Sequence, residues 1–543
     1  MNKVPAFFAL VIGTLVALLA LRLVNVNFNG PQVASIVVFS TFIYGTLLFG
    51  DFRLAFAFGG IAVLLGTSLL TVQQFTESAN LRVIIFLVGM FLVIGFLEEN
   101  QFFEGIVNTI VRVVGPRPDT LILVMMVLAT VSAAVVDEVT SILFMTGTML
   151  HLTSKYRLAP TPFVLMLVFS TNIGSACSSI GNPIGVMIAF DAGFSFLEFL
   201  RWSAPIALVV NVATYLICRW WFADAFMQLR AAVHAEQESK QRLAAVVARR
   251  QQPQPALVGA GAALHETPET PWEADPFDGD ESAGASEAAS AITHHDPAPE
   301  ALSESDRRQR RICWTIFVAT LLLLVTHGLS ERWLGLLFDP QGKPLKEGTM
   351  MVGAALLMGS IVLLIRGQHA RQLVERRVDW WTLSFFMMLF ASVGTLEHTR
   401  VTSVVAERLI AVTGGNQALL IQIVGWSTGW LSAFLDNVLA VATFMPVIHD
   451  VRVAAAPASY PASIYWMMLF GGTFMGNMTV IGSTANIIAL GVLEKRGHGT
   501  IPFGTWFKIG FVVSIASMII ASVLLYLQSG IMPHLPPPGR GGH

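Results

Sequence analysis

The chain is short of charge. Only 13% of its 543 residues are Asp, Glu, Lys or Arg, against 54% hydrophobic; ordinary soluble domains carry about 25% charged residues. That deficit excludes a typical water-soluble fold. A net charge of −2 supplies no global field for a nucleic-acid partner. Three cysteines, Cys177, Cys218 and Cys313, lie far apart in apolar segments. Their spacing suits neither a zinc site nor a disulfide framework, so they read as small packing residues. HExxH and Walker sequences are missing, as are Cys/His clusters, so the chain is not expected to be an enzyme.

Long apolar runs take the place of charge. A helix needs about 17–25 such residues to cross roughly 30 Å of hydrocarbon. Candidate spans lie near 5–24, 32–50, 53–71, 82–97, 161–190, 204–224, 312–328, 349–366, 380–397, 463–493 and 506–528. The first follows Lys3 but has no clean small-x-small cleavage site after it, so it reads as a transmembrane helix and not a secretory signal. Residues 225–311 are rich in Ala, Glu, Gln, Pro, Ser and Arg. They cannot bury enough apolar surface to fold alone and are expected to be largely disordered, with 225–250 extending the preceding helix. The expected division is an N-terminal helix (1–31), a first repeat (32–224), this loop (225–311), a second repeat (312–528) and a tail (529–543).

Two further apolar stretches are interrupted by acids. Residues 133–150 read AAVVDEVTSILFMTGTML, with Asp137 and Glu138; residues 432–449 read SAFLDNVLAVATFMPVIH, with Asp436 and Asn437. Carboxylates at membrane depth are costly and mark ion pathways or proton relays. Each stretch, 120–150 and 418–449, is expected to fold back on itself as a re-entrant hairpin. A shift of 299 positions carries Asp137 onto Asp436 and Gly95-x-Leu97-Glu98 onto Gly394-x-Leu396-Glu397. A shift of 301 carries Ile180-Gly181-Asn182 onto Ile481-Gly482-Ser483. Matches in one order indicate a duplicated chain. The expected fold is therefore all-α and polytopic, with about eleven transmembrane helices in two inverted repeats. Basic residues such as Lys155, Arg157, Arg311, Arg377 and Lys495 then share a side with the N-terminus. That places the N-terminus and the 225–311 loop in the cytoplasm and the C-terminus outside.

After each hairpin comes a polar interruption. The first runs from Ser170 to Pro183 and contains Asn172, Ser178, Ser179 and Asn182. The second runs from Gly476 to Asn486 and contains Asn477, Thr479 and Ser483. Gly and Pro break a helix, and hydroxyl, amide and freed carbonyl oxygens are hard ligands suited to Na⁺. The helix N-terminus beyond each break could equally face an anion. Asp137 and Asp436 read as ion or proton ligands, or as helix caps. Glu138 reads as a ligand or a solvent-facing group. The amides and hydroxyls of both breaks, Asn486 included, read as ion contacts or as partners of the broken backbone. Glu98 and Glu397 lie near span ends, and His151 and His449 end the hairpins.

Asp436-Asn437, the run Asn172-Ile-Gly to Ile180-Gly181-x-Pro183, and Gly476-Asn477-x-Thr479-x-Ile481-Gly482-Ser483-x-x-Asn486 resemble the ion transporter superfamily. Within it they are most similar to NhaD-type sodium/proton antiporters, ArsB-type arsenite carriers and melanosomal P proteins. The resemblance covers about 80–520 outside the loop, and it implies inverted repeats, hairpins, broken helices and commonly a homodimer. The superfamily also holds sodium-coupled dicarboxylate and citrate carriers. Two departures stand out. Asn182 occupies the place of an acid that the antiporters keep at the first break, and Glu138 occupies a place usually held by Asn. The Ser-Asn-Thr hairpin tips of dicarboxylate carriers are missing from this chain.

The expected function is secondary active transport by alternating access, as a sodium (cation)/proton antiporter. Asp137, Asn172, Asn182, Asp436, Asn437 and Ser483 are its expected Na⁺ ligands, and no cofactor is expected beyond transported Na⁺ or H⁺. Lys and Arg are missing from the motifs, which disfavours a salt-bridged anion. The alternative is a sodium- or proton-coupled anion carrier for arsenite, another oxyanion or a small carboxylate such as citrate. The expected partners are the lipid bilayer and a small ion, in the inner membrane of a bacterium.

Overall fold

The computed structural model describes residues 3–22, 26–115, 117–251, 304–338, 345, 348–454 and 459–535. The disorder expected in the long loop falls on 252–303, outside the described residues. The chain divides into two compact units, Met1–Val233 with Cys313–His543, and His234–Ile312. Described residues of the smaller unit are helical and carry exposed pairs such as Lys240–Glu236 at 2.8 Å.

The first half runs α1 (Lys3–Leu21), α2 (Gly30–Leu48), α3 (Arg53–Gly66), α4 (Val72–Ser78), α5 (Leu81–Glu99), α6 (Phe102–Val114), α7 (Pro118–Val135), α8 (Glu138–Lys155), α9 (Thr161–Gly174), α10 (Pro183–Ala192) and α11 (Phe196–Trp221). Then comes α12 (Ala223–Gln251), which extends α11 as expected. The second half runs α13 (Glu304–Phe338), α14 (Thr349–Arg366), α15 (Ala370–Arg377), α16 (Trp380–His398), α17 (Val401–Thr413), α18 (Gln417–Phe434), α19 (Asn437–Ala454), α20 (Ser463–Phe474), α21 (Thr484–Lys495) and α22 (Phe503–Ser529). A small antiparallel pair joins Tyr460–Pro461 to His534–Leu535. Local chemistry sets the starts. Asn29 with Gln32, and Thr71 with Gln74, form reciprocal capping boxes at α2 and α4, and Pro opens α7, α9 and α10, where its missing N–H costs nothing.

The duplication is visible helix by helix. Moving α5, α6, α7 and α8 forward by 299 positions lands on the starts of α16, α17, α18 and α19, and each pair has equal length. Leaving the hairpins aside, each half has an odd number of crossings: α2, α3, α5, α9–α10 and α11 against α13, α14, α16, α20–α21 and α22. The second half is therefore inverted. Each hairpin arm has 18 residues, about 27 Å at 1.5 Å per residue, so the arms are longer than the short helices the sequence implied. Two arms return the chain to its starting side, and the parity is unchanged. Among the described residues nine helices are long and apolar enough to cross a membrane, with α7 and α19 among them.

The sequence reading also missed α6 and α17, which fill the unassigned gaps after α5 and α16. α6 is amphipathic and buries Phe102, Phe103 and Val107 on one face; α17 has the same 13 residues and exposes Glu407 and Arg408.

The halves interlock. A Cβ on Gly89 of α5 would lie 2.7 Å from the backbone of Ala355 in α14, while α16 receives Arg53 of α3 through a 2.9 Å bond to Thr382. Gly95 of α5 meets Arg377, and Gly394 of α16 meets Ser78, a contact related to the first by the same 299-residue shift. Arg377 also pairs with Glu98 at 3.1 Å and with Glu99 at 3.2 Å, and the shifted counterpart is Ser78 with His398 at 3.1 Å. Reciprocity of this kind is what a two-fold relation between halves produces. Gly89→Leu should force α5 and α14 apart and destabilise the folded protein by about 1–3 kcal/mol. Thermal unfolding in detergent measures it, and an unchanged midpoint would contradict the close approach.

Candidate functional site

The site forms where two hairpin tips meet two broken helices. At the first tip α7 ends, Asp137 caps α8 by accepting the Thr140 N–H at 2.8 Å, and the Glu138 N–H donates to Gly181 O at 3.1 Å. The first break, 175–182, is pinned beneath it. Ser178 Oγ donates to Ala134 O and accepts the N–H groups of Ile180 and Gly181 at 3.2 and 3.1 Å. Gly181 is required there, because a Cβ would lie 2.6 Å from Ser175 O and 2.8 Å from Ala133 O. Asn182 caps α10 through Gly185 N at 2.8 Å and donates to Ser175 Oγ at 2.8 Å.

The second half repeats this plan with other groups. Thr479 Oγ1 donates to Ala433 O at 2.5 Å, as Ser178 does to Ala134. Ser483 caps α21, as Asn182 caps α10. Asp436 accepts the Val438 N–H at 2.9 Å and the Thr484 hydroxyl at 3.0 Å. Asn437 lies against Gly482 O, Ser432 Oγ and Gly472 O, which its amide nitrogen satisfies. Trp506 Nε1 donates to Asn477 O at 3.1 Å.

Asn172 joins the halves. Its amide nitrogen donates to Asn477 Oδ1 at 2.7 Å and Asn486 Oδ1 at 2.8 Å, and its oxygen accepts from Ser483 Oγ at 3.0 Å. Asn486 in turn donates to the freed carbonyls of Gly476 and Thr479, both at 2.8 Å. Ser483 Oγ also lies 3.5 Å from Glu138 Oε1. Asn172, Asn477, Asn486, Ser483 and Glu138 are all buried. Helix breaks at this depth persist because these side chains replace the lost backbone partners.

The structure therefore gathers Glu138, Asn172, Asn477, Ser483 and Asn486 into one centre. Ser178, Thr479, Asn182 and Asn437 line the tips and breaks, each bonded locally. Asp137 and Asp436 do not meet; each caps its own hairpin helix and is half-buried. Glu138 is near enough to both to be repelled when all are ionised, yet among the described residues no three His, Cys, Asp or Glu form a common metal cage. A single carboxylate among amides and hydroxyls suits a monovalent cation or a proton better than a divalent metal.

The orphaned oxygens are one-sided. Asp137 Oδ2, Glu138 Oε2, Ser170 Oγ, Thr171 Oγ1 and Ser179 Oγ are buried without a partner; in the second half no atom of 436–437 or 475–486 is. Buried polar atoms are normally satisfied, so this cluster is where a small cation, a proton or water would find ligands. Glu98 pairs with Arg377, so its role is at the interface between halves. Two groups escaped sequence reasoning. Ser175 bridges Asn172 O and Asn182, and Tyr465 bonds Asp191 and Arg452. Only spatial proximity marks either.

Comparison with known proteins places the sequence in a family. Residues 47–472 and 349–534 match the CitMHS family, described as citrate transporter. A protein of Mycobacterium tuberculosis described as an uncharacterised transporter is 24% identical over 501 residues, covering 91% of this chain and 99% of its own. The human P protein is 25% identical over 506 residues, covering 87% of this chain and 57% of its own. The solved structure of the Alcanivorax borkumensis YdaH transporter is 15% identical, with a TM-score of 0.49, and covers 94% of this chain and 100% of that one. On the extent of the family match, the chain is an integral membrane transporter and belongs to the CitMHS citrate transporter family, within the ion transporter superfamily.

Proposed function

We propose that this transporter exchanges Na⁺ for H⁺ by alternating access, with one cation site in its first half. The observation that carries the reading is the one-sided set of unpartnered oxygens around Glu138, Asp137 and Ser179. A proton or a sodium ion satisfies such a set, and competition between them for one carboxylate couples their movements. Glu138 is the shared carboxylate, Ser179 a neutral ligand, and Asn172 with Ser483 the link to the second half. Basic side chains are missing from the two breaks and tips, which supports a cationic cargo. The protein sits in a bacterial inner membrane as a homodimer, with its N-terminus and the 225–311 loop cytoplasmic and its C-terminus outside.

The family description supports a second reading, a citrate-type carrier driven by Na⁺ or H⁺ at the same carboxylate. The N-termini of α10 and α21, capped by Asn182 and Ser483, would then hold the anion. Proteoliposomes with an imposed ΔpH separate the two. Antiport predicts that Na⁺ or Li⁺ dissipates ΔpH without any added anion. No response, together with Na⁺- or H⁺-driven uptake of labelled citrate, overturns it in favour of the carrier.

A further inference from the structure

Half-helix α10 carries Asn182 at its start and Asp191 in its last turn. The start caps the first break, beside the proposed ion site; the far end is clasped by the second half. Tyr465, fully buried in the first turn of α20, donates its hydroxyl to Asp191 Oδ2 at 2.6 Å. Arg452, near the end of hairpin arm α19, donates to the same hydroxyl at 2.8 Å. Its guanidinium carbon also lies 5.7 Å from the tyrosine ring centre. Just beyond α10, Phe194 stacks on Trp466 at 4.6 Å and meets Tyr465 edge-on at 5.9 Å. Three elements thus converge on one hydroxyl.

The first half has no counterpart. The repeat places Thr153 opposite Arg452, Val164 opposite Tyr465 and Val492 opposite Asp191, and none of these can form the chain of bonds. The clasp acts only on α10, the half-helix of the half that holds the unpartnered oxygens.

We infer that Tyr465 is a positioning residue for transport: by bridging Asp191 to Arg452 it fixes the direction of α10, and so the place of the first break, which Asn182 ties to α10 and which carries Ser179. A helix of ten residues is about 15 Å long, so freedom at one end becomes displacement at the other, and sub-ångström misplacement is enough to weaken a ligand set. The inference rests on the ion site proposed above.

The test is a double-mutant cycle in proteoliposomes, following half-saturation by the driving ion and maximal rate separately. Tyr465→Phe keeps the ring and removes the hydroxyl. It should raise the half-saturating ion concentration about tenfold, roughly the worth of one charge-assisted hydrogen bond, with maximal rate within about twofold of the parent. Asp191→Ala should match it, the pair together should do no more than either alone, and Asp191→Asn, which still accepts a hydrogen bond, should restore most of the affinity. Additive effects, or an unchanged half-saturation in Tyr465→Phe, overturn the inference. Should Tyr465→Phe insert poorly, Asp191→Ala against Asp191→Asn tests the same bond from its other end. Failure of the antiport reading shows in the unmutated protein, and the cycle is then run on ion-driven citrate uptake.

Discussion

Glu138→Gln should abolish ion-coupled transport while leaving the protein inserted and folded. The substitution keeps the size of the side chain and an oxygen that can accept from Ser483, 3.5 Å away. It removes the negative charge and the ability to exchange a proton for a cation. Glu138 is buried and its second oxygen has no partner, so its charge has no structural role to fulfil there. A loss of at least about 100-fold in ΔpH-driven exchange is expected, equivalent to about 2.8 kcal/mol at 1.4 kcal/mol per decade. Asp436→Asn should cost less, about tenfold or under, because both of its oxygens are already engaged by Val438 and Thr484 and Asn is as good a cap as Asp. Equal losses in the two variants would refute a site confined to the first half.

Asn172→Ala should be the most damaging single change to stability. It leaves Asn477 Oδ1 and Asn486 Oδ1 without their shared donor, both of them buried, and Ser483 with only its 3.5 Å bond to Glu138. Each unsatisfied group costs about 1–3 kcal/mol, so the variant should unfold at least about 2 kcal/mol more easily. Unfolding in mild detergent measures this. A midpoint within experimental scatter of the parent would mean that the amides re-pair without Asn172 and that it is not the joint between halves.

The repeat, the hairpins and the broken helices were legible in the sequence because each disturbs an otherwise apolar chain. Asp137, Asp436 and the two Ile-Gly runs stand out at matched spacing. The division of labour among them was not. Asp137 and Asp436 match by position, and each also caps its own helix. The residue after each, Glu138 or Asn437, is the one that turns inward. A one-position difference in direction around a hairpin tip is set by the tip's backbone, and composition does not report it. The centre formed by Asn172, Asn477 and Asn486 was foreseen only as separate candidates, since the bonds among them link residues about 300 apart. Helices α6 and α17 do not stand out because, at 13 residues each, both fall short of a span.

The interlocking of α5 with α14 and of α16 with α3 has a consequence for biogenesis. Gly89 is synthesised 266 residues before Ala355, the residue it packs against. At about 5–20 residues per second, the nascent first half waits roughly 13–50 s with that helix face uncovered in the bilayer. Its final assembly must therefore follow insertion of the second half. A polypeptide halted in the long loop would remain an unpaired substrate for membrane quality control, and co-expressing the missing half as a separate chain should rescue it.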